Sequence, residues 1–518
     1  MATFARLPDH DYTSRLPPEL RCEIGYFLRC ACDRKALCLV SKDWRDSTLP
    51  ELWTHLATDL CGRGGRKLSD LGNPNSNIVR HVRTIQVKNE FDKLLADFKE
   101  PLLQALLTAI PRGELRGFEC NFELSGITLE RLLQSHPKLE WVYFRNFSRW
   151  RSVLDSPWTQ GSLSDVHELA IEVETTPPQL TRRLLDACPR LVEILFEKDY
   201  RTDSHPLLPA EVFLDPSQSS GTRYEEGCHL VSLQPRRHTA LRRLTIYHVR
   251  LPYNLGPIFR YFDVSALTFL SVDTCPDTPR FLDGLTQTVR EHIPSLSILQ
   301  IMYVPPDQSG DFRRACTALL RAFRGLRELY IQCEDCGKID VDAILNHGST
   351  LRVLLVVTGT VHRHNPDMCF SAADITRLAS VCPRIQQLCL NIFDLAPGAS
   401  EDFAGFHIKA YSDVVVPQTH FEAALGAIAK MPSHQTLRLP DPRIFRIGTD
   451  QEGDMAPGID LWVAQGNQQL RFQALAEGIM GYLAEDQDSG IFSIGWNSKE
   501  RQSGREWPLL ATLLLPSR

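Results

Sequence analysis

The chain has 518 residues, of which 43% are hydrophobic and 23% charged, a balance typical of a folded globular protein rather than a disordered one. Its formal net charge of -6 argues against a protein that mainly neutralises phosphates, and no apolar run approaches the roughly 18 residues that a membrane helix needs. We therefore expect neither nucleic acid nor membrane as a partner. Leucine is in excess, with 71 residues, and this excess needs an architectural explanation.

The first sixty residues predict three short helices between Arg15 and Trp53. Pro18 suits a helix start, where its missing N–H costs nothing. Leu20, Ile24 and Leu28 then recur every four residues and form one apolar stripe. So small a segment needs a surface to bury that stripe against, either the rest of the chain or a partner.

The second and third of these helices carry their own start and stop signals. Asp33 is a candidate N-cap of the second helix, and Ser41 can cap a third that contains Trp44. Pro50 is predicted to end the third helix.

In order and spacing these residues resemble an F-box, in particular the fungal form. The matching positions are Leu16-Pro17-Pro18-Glu19-Leu20, Ile24, Leu28, Asp33, Leu37 through Val40-Ser41-Lys42 to Trp44-Arg45, and Pro50-Glu51-Leu52-Trp53. In that family the helices bind a Skp-family adaptor of cullin-RING ubiquitin ligases, and the rest of the chain selects the target. The resemblance implies these adaptor-binding residues: Leu16, Pro17, Leu20, Ile24, Leu28, Leu37, Val40, Trp44 and Trp53.

One position departs from the family pattern. The residue after the aspartate is usually leucine, and here it is Arg34. The change removes one apolar contact unless the guanidinium lies outward along its stem.

Segments of the form apolar-x-x-apolar-x-apolar recur through the next 350 or so residues. They begin at Val82, Leu115, Leu139, Val166, Leu191, Leu241, Leu267, Leu296, Leu326, Leu351, Ile385 and, without its first apolar residue, His434. The intervals run from 24 to 34 residues, apart from one of 50 and one of 49. If each long interval hides one degenerate unit, the mean step is about 27 residues, within the range of leucine-rich repeats.

Two further features keep the same register. Proline stands two residues before five starts, at Pro137, Pro189, Pro294, Pro383 and Pro432, and an apolar residue stands seven before six starts, at Leu132, Leu184, Val289, Leu319, Ile344 and Leu378. This predicts a helix with an inward apolar residue, ended by proline and followed by a short strand. The units resemble leucine-rich repeats, and the steps at Cys188 and Cys382 resemble the cysteine-containing class. The usual Asn or Cys appears only as Cys275, which predicts irregular coils.

The predicted fold class is therefore α/β: a three-helix F-box followed by a leucine-rich-repeat solenoid of parallel strands and helices, with a C-terminal cap. The predicted ranges are 13–56 for the F-box, 57–80 for a linker, 81–440 for the irregular solenoid and 441–518 for the capping region. The last range is predicted to contain an amphipathic helix at 468–483 and strands around Trp496 and Trp507.

Few residues suggest a catalytic, redox or metal-binding site. Cys333 and Cys336 have metal or redox spacing, but with no second pair and no thioredoxin-like context they are predicted to be a structural pair at the end of a strand. His362, His364 and Cys369 are interpreted as a solvated turn rather than a metal site. Because no nucleotide-binding, hydrolase or metalloprotease motif occurs, we expect no catalytic residue, metal or cofactor.

The resemblance implies a substrate-recognition subunit of a Skp-cullin-F-box ubiquitin ligase, whose repeats bind an unidentified target protein. Two alternatives stay open: an interaction scaffold that does not direct ubiquitination, and an enzyme that uses the region of His362. The start MATFARLPDHD has no signal-peptide pattern, so we expect reduced thiols and a cytoplasmic or nuclear location.

Overall fold

The computed structural model describes residues 16–28, 30–59, 71, 73, 76, 78–88, 93–144, 153–154, 159–174, 176, 178–198, 208, 238–251, 262–291, 294–303, 311–333, 336–358, 369–390, 418–431, 436–440, 493–497 and 511–514. The chain divides into two compact units. The first comprises residues 1–202 and 211–241, and the second comprises 203–210 and 242–518. The boundary between the two units falls inside the range 81–440, which the sequence predicts to be one solenoid.

The first unit begins with the three predicted helices, α1 (Pro18–Phe27), α2 (Ala31–Cys38) and α3 (Lys42–Trp53). The Ser41 side chain caps α3 by accepting the N–H of Trp44 at 3.2 Å, as its sequence position predicts.

Two details of these helices differ from the prediction. The N-cap of α2 is Cys30, so Asp33 lies inside its first turn. Pro50 lies within α3 rather than ending it. A proline removes one backbone hydrogen bond, and the packing of the buried face of α3 against α1 and α2 keeps the last turn helical.

After these helices the first unit forms a parallel sheet whose strands follow chain order. The strands are β1 (His55–Asp59), β2 (Thr84–Lys88), β3 (Gly117–Cys120), β4 (Trp141–Phe144), β5 (Glu168–Glu172) and β6 (Glu193–Glu197). The helices α4 (Lys93–Ala109), α5 (Gly126–Ser135), α6 (Thr159–Ser162) and α7 (Pro178–Ala187) lie between successive strands from β2 onward.

The second unit continues the same alternation. Its strands are β7 (Arg243–Tyr247), β8 (Phe269–Asp273), β9 (Ile298–Tyr303), β10 (Glu328–Cys333), β11 (Val353–Thr358), β12 (Gln387–Leu390), β13 (Thr436–Pro440), β14 (Ser493–Asn497) and β15 (Ala511–Leu514). β7 to β14 are parallel, and β15 pairs antiparallel with β14. The intervening helices are α8 (Thr278–Glu291), α9 (Asp311–Ala322), α10 (Val341–Leu345), α11 (Ala372–Val381) and α12 (Gln418–Ala429). The α/β arrangement is solenoid-like.

The repeat pattern locates the strands to the residue. In all twelve segments a strand begins two residues after the segment start, from Val82 and β2 to His434 and β13. In β10, Leu329 and Ile331 are buried, whereas Glu328 and Tyr330, which alternate with them along the strand, are half-buried. The predicted inward helix residues are confirmed as buried: Leu132, Leu184, Val289, Leu319, Ile344 and Leu378. Period-two alternation places every second strand residue in the core.

Two features of the sheets differ from the prediction. The strand β1 was not predicted, because the frame Trp53, Leu56 and Thr58 has a polar third position and begins inside a helix. The interval of 49 residues adds no strand between β12 and β13, since these two strands are direct hydrogen-bonding partners. It is an insertion, not a hidden stacked unit. The interval of 50 residues lies mostly outside the described residues.

Candidate docking surface

The helix α1 turns its apolar residues toward solvent. Leu20, Ile24 and Phe27 are 45%, 39% and 75% exposed, and their spacing places them on one face of the helix. The buried face of α1 instead carries Arg21 and Gly25. We call Leu20, Ile24 and Phe27 the exposed stripe.

The buried face of α1 depends on a close approach to α3. A Cβ atom on Gly25 would lie 3.2 Å from Cγ2 of Thr48, so a larger residue would push the two helices apart. Nη1 of Arg21 lies 3.3 Å from Oδ2 of Asp43, which starts α3. The small residue and the ion pair thus fix the rotation of α1 that leaves the exposed stripe uncovered.

Further apolar side chains are exposed nearby in sequence. Leu39 and Val40, at the end of α2, are 87% and 62% exposed, and Tyr26 is 66% exposed. In the part of the chain that the structure describes, eight large apolar side chains are exposed, and six of them lie between positions 20 and 40; the other two are Ile127 and Val381. Exposed apolar side chains are therefore concentrated on the first helices.

The nine predicted adaptor-binding residues differ in exposure. Pro17, Leu20, Ile24 and Val40 are exposed, whereas Leu16, Leu28, Leu37 and Trp53 are half-buried. Trp44 is 4% exposed, so it belongs to the core of the helices and is covered in the free chain. Tyr26 and Leu39 are not among these nine residues, and only the packing shows that both face out.

Arg34 does not extend outward. Its Nε donates to the carbonyl oxygen of Leu28 at 2.7 Å, and its Nη1 donates to that of Glu51 at 3.3 Å. Leu28 follows α1, and Glu51 lies in the last turn of α3. The guanidinium therefore connects the ends of two helices, where the family pattern has an apolar contact.

Three of the five residues considered for a chemical role lie in the described ranges. Cys333 and Cys336 are joined by a disulfide, Cys369 is half-buried, and His362 and His364 lie outside the described residues. Burial raises the pKa of the thiols of Cys188, Cys316 and Cys382 to about 12, so these cysteines are unreactive core residues. Within the described ranges, no group of three or more metal-ligating side chains comes together, and no helix is long and apolar enough to cross a membrane.

No protein-family model matches this chain, and no curated protein matches it either.

Proposed function

We propose that this chain is the substrate-recognition subunit of a Skp-cullin-F-box ubiquitin ligase: its first three helices bind a Skp-family adaptor, and its repeats bind a target protein. The observation that carries the proposal is the reversed burial of α1, with Leu20, Ile24 and Phe27 facing solvent while Arg21 and Gly25 face the core. A helix with this pattern is suited to docking into an apolar groove of a partner.

The exposed stripe can contribute apolar burial to binding. Burying one large apolar side chain contributes about 1.5 to 3 kcal/mol. The three residues of the exposed stripe, with Leu39 and Val40 added, give an amount of the same order as the cost of association, so adaptor contacts outside these five side chains must supply part of the affinity. Trp44 packs in the core of the helices and stabilises the helices that carry the exposed side chains.

The sheets support the second half of the proposal. Parallel strands in chain order, six of them preceded by the predicted buried helix residue, are what irregular leucine-rich repeats would form. In this proposal β14 and the antiparallel β15 belong to a C-terminal cap that covers the last repeats. The chain itself breaks no covalent bond; it accelerates ubiquitin transfer by holding the target close to the conjugating enzyme.

Adaptor binding can be measured by calorimetry with the full chain and a purified Skp-family adaptor. Ile24→Asp and Phe27→Asp each place a charge in the exposed stripe, and we expect each to weaken binding by roughly 30-fold or more. Ile127→Asp is the matched control, because Ile127 is 67% exposed on α5 and lies outside the three helices. The proposal fails if the intact chain does not bind the adaptor, or if Ile127→Asp weakens binding as strongly.

A second experiment separates a ligase subunit from an interaction scaffold. Proximity labelling with the intact chain identifies candidate targets, and their levels are then compared in cells that carry Ile24→Asp. If the chain directs ubiquitination, a bound target accumulates in the variant. If the chain is a scaffold, the target is still labelled and its level stays the same.

A further inference from the structure

One pair of cysteines is bonded in the part of the chain that the structure describes. Cys333, the last residue of β10, and Cys336 form a disulfide. Both bonded residues are buried, at 1% and 4% exposure. The fold therefore brings this pair together in a buried position.

The bond contributes little to folding, because the ring it closes is small. The two cysteines are three residues apart in sequence. By the chain-entropy relation, closing so short a ring shifts the folding equilibrium on the order of 20-fold, compared with a few thousand-fold for a loop of about 100 residues. Such a bond is not needed as a structural crosslink. Whether the two cysteines are oxidised or reduced depends mainly on the reduction potential of the thiol–disulfide couple in the surrounding solution.

The chain after Cys336 is held in place without the bond. Gly337 has a φ of 73°, and a Cβ atom there would lie 3.4 Å from Nη1 of Arg313, so the Arg313 side chain packs against this turn. Nζ of Lys338 lies 2.8 Å from Oδ2 of Asp374 on α11. These contacts keep Cys336 near the end of β10 when the thiols are reduced.

We propose that Cys333 and Cys336 form a reversible dithiol–disulfide centre that exchanges electrons with a small-molecule disulfide of the glutathione type. One cysteine thiolate attacks a sulfur of glutathione disulfide, forms a mixed disulfide and releases one glutathione thiolate. The second cysteine thiolate then attacks the protein sulfur of that mixed disulfide, closes the Cys333–Cys336 bond and releases the second glutathione thiolate. Two electrons pass from the protein to glutathione disulfide, and the two thiol protons end on the released glutathione.

The test uses the full chain equilibrated anaerobically in mixtures of reduced and oxidised glutathione. Because both cysteines are buried, exchange with glutathione is expected to be slow, so each mixture is sampled until its composition is constant. Free thiols are blocked in denaturant with N-ethylmaleimide, disulfides are reduced, and the released thiols are labelled with deuterated reagent for mass spectrometry. We expect the deuterated label on Cys333 and Cys336 to rise together from below about a tenth to above about nine-tenths, and to fall again when the sample is returned to the reducing mixture.

Two variants complete the experiment. In Cys336→Ser, Cys333 should be found only as the free thiol or as a glutathione adduct. In Cys316→Ser, which changes a buried free cysteine of α9, the titration should be unchanged. The proposal is overturned if the pair stays reduced in every mixture, forms glutathione adducts only, remains bonded in the reducing mixture, or loses its titration in Cys316→Ser. None of these outcomes depends on adaptor binding.

Discussion

The Nε of Arg34 donates a hydrogen bond to the main-chain carbonyl oxygen of Leu28 at 2.7 Å. The residue that interrupts the apolar pattern of the second helix thus caps the end of α1, and its Nη1 reaches the carbonyl oxygen of Glu51 in α3. An arginine can donate hydrogen bonds to two helix-terminal carbonyl groups, whereas with a leucine these groups would have to accept hydrogen bonds from water. Arg34 therefore makes a polar connection between the helices.

Arg34→Leu introduces the residue that is usual at this position in F-box sequences and removes both hydrogen bonds. We expect it to destabilise the contact between α1 and α3 by about 2 kcal/mol, because hydrogen bonds from a charged group contribute about 1.5 to 3 kcal/mol. Hydrogen exchange followed by mass spectrometry should show the α1 amides exchanging roughly 30-fold faster. Lys35→Leu, at the exposed neighbouring position, is the control and should leave the exchange unchanged. Equal exchange in Arg34→Leu and the unmodified chain would contradict this role.

The exposed stripe and the buried Trp44 should respond differently to substitution even without an adaptor. Trp44→Ala removes a side chain that is 4% exposed, and we expect it to destabilise the three helices by about 3 to 5 kcal/mol. Ile24→Asp, at an exposed position, should change their stability by less than about 0.5 kcal/mol. Hydrogen exchange of residues 18–53 measures both. A large loss of protection in Ile24→Asp would mean that the stripe is part of the core and not a docking surface.

Gly348 allows α10 and α11 to approach each other closely. A Cβ atom on Gly348 would lie 2.6 Å from the carbonyl oxygen of Val381, so Gly348→Ala must displace the end of α11. We expect a loss of about 1 to 3 kcal/mol, measured by urea unfolding of the full chain. Gly426→Ala is the matched control, because no atom lies within 4 Å of its added Cβ and alanine favours the helix α12. The explanation is wrong if both substitutions have the same effect.

His347 makes the second unit sensitive to acid. Its Nε2 lies 3.0 Å from the carbonyl oxygen of Leu320 and its Nδ1 accepts the N–H of Leu326, so it connects α9 to β10. Burial lowers the pKa of His347 to about 4, below its ordinary value of 6.5. The unfolded chain therefore binds the proton first, and stability is lost as the pH falls from about 6.5 to 4.

The size of this effect can be measured with His347→Gln. Between pH 7.5 and pH 5, the unmodified chain should lose about 2 kcal/mol more than the variant does, as followed by urea unfolding at both pH values. A variant with the same pH dependence as the unmodified chain would show that His347 is not the titrating group.

The sequence alone indicated twelve of the strands, β2 to β13. Each of the twelve segments contains a strand, because alternation of buried and exposed side chains is a local property that the chain carries in its pattern. The inward helix residues, such as Leu319 and Leu378, were predicted for the same reason. The three N-terminal helices were also predictable, since Pro18 and Ser41 are local start signals.

Only the tertiary structure decided which of these residues face solvent. The stripe of α1 has the same period whether it faces the core or solvent. The close approach of Gly25 to Thr48 places the opposite face of α1 against α3, so the stripe faces solvent. In the same way, the Cys333–Cys336 bond and the direct pairing of β12 with β13 depend on positions in space. Periodicity specifies a face of a helix or strand, whereas packing between elements determines what that face contacts.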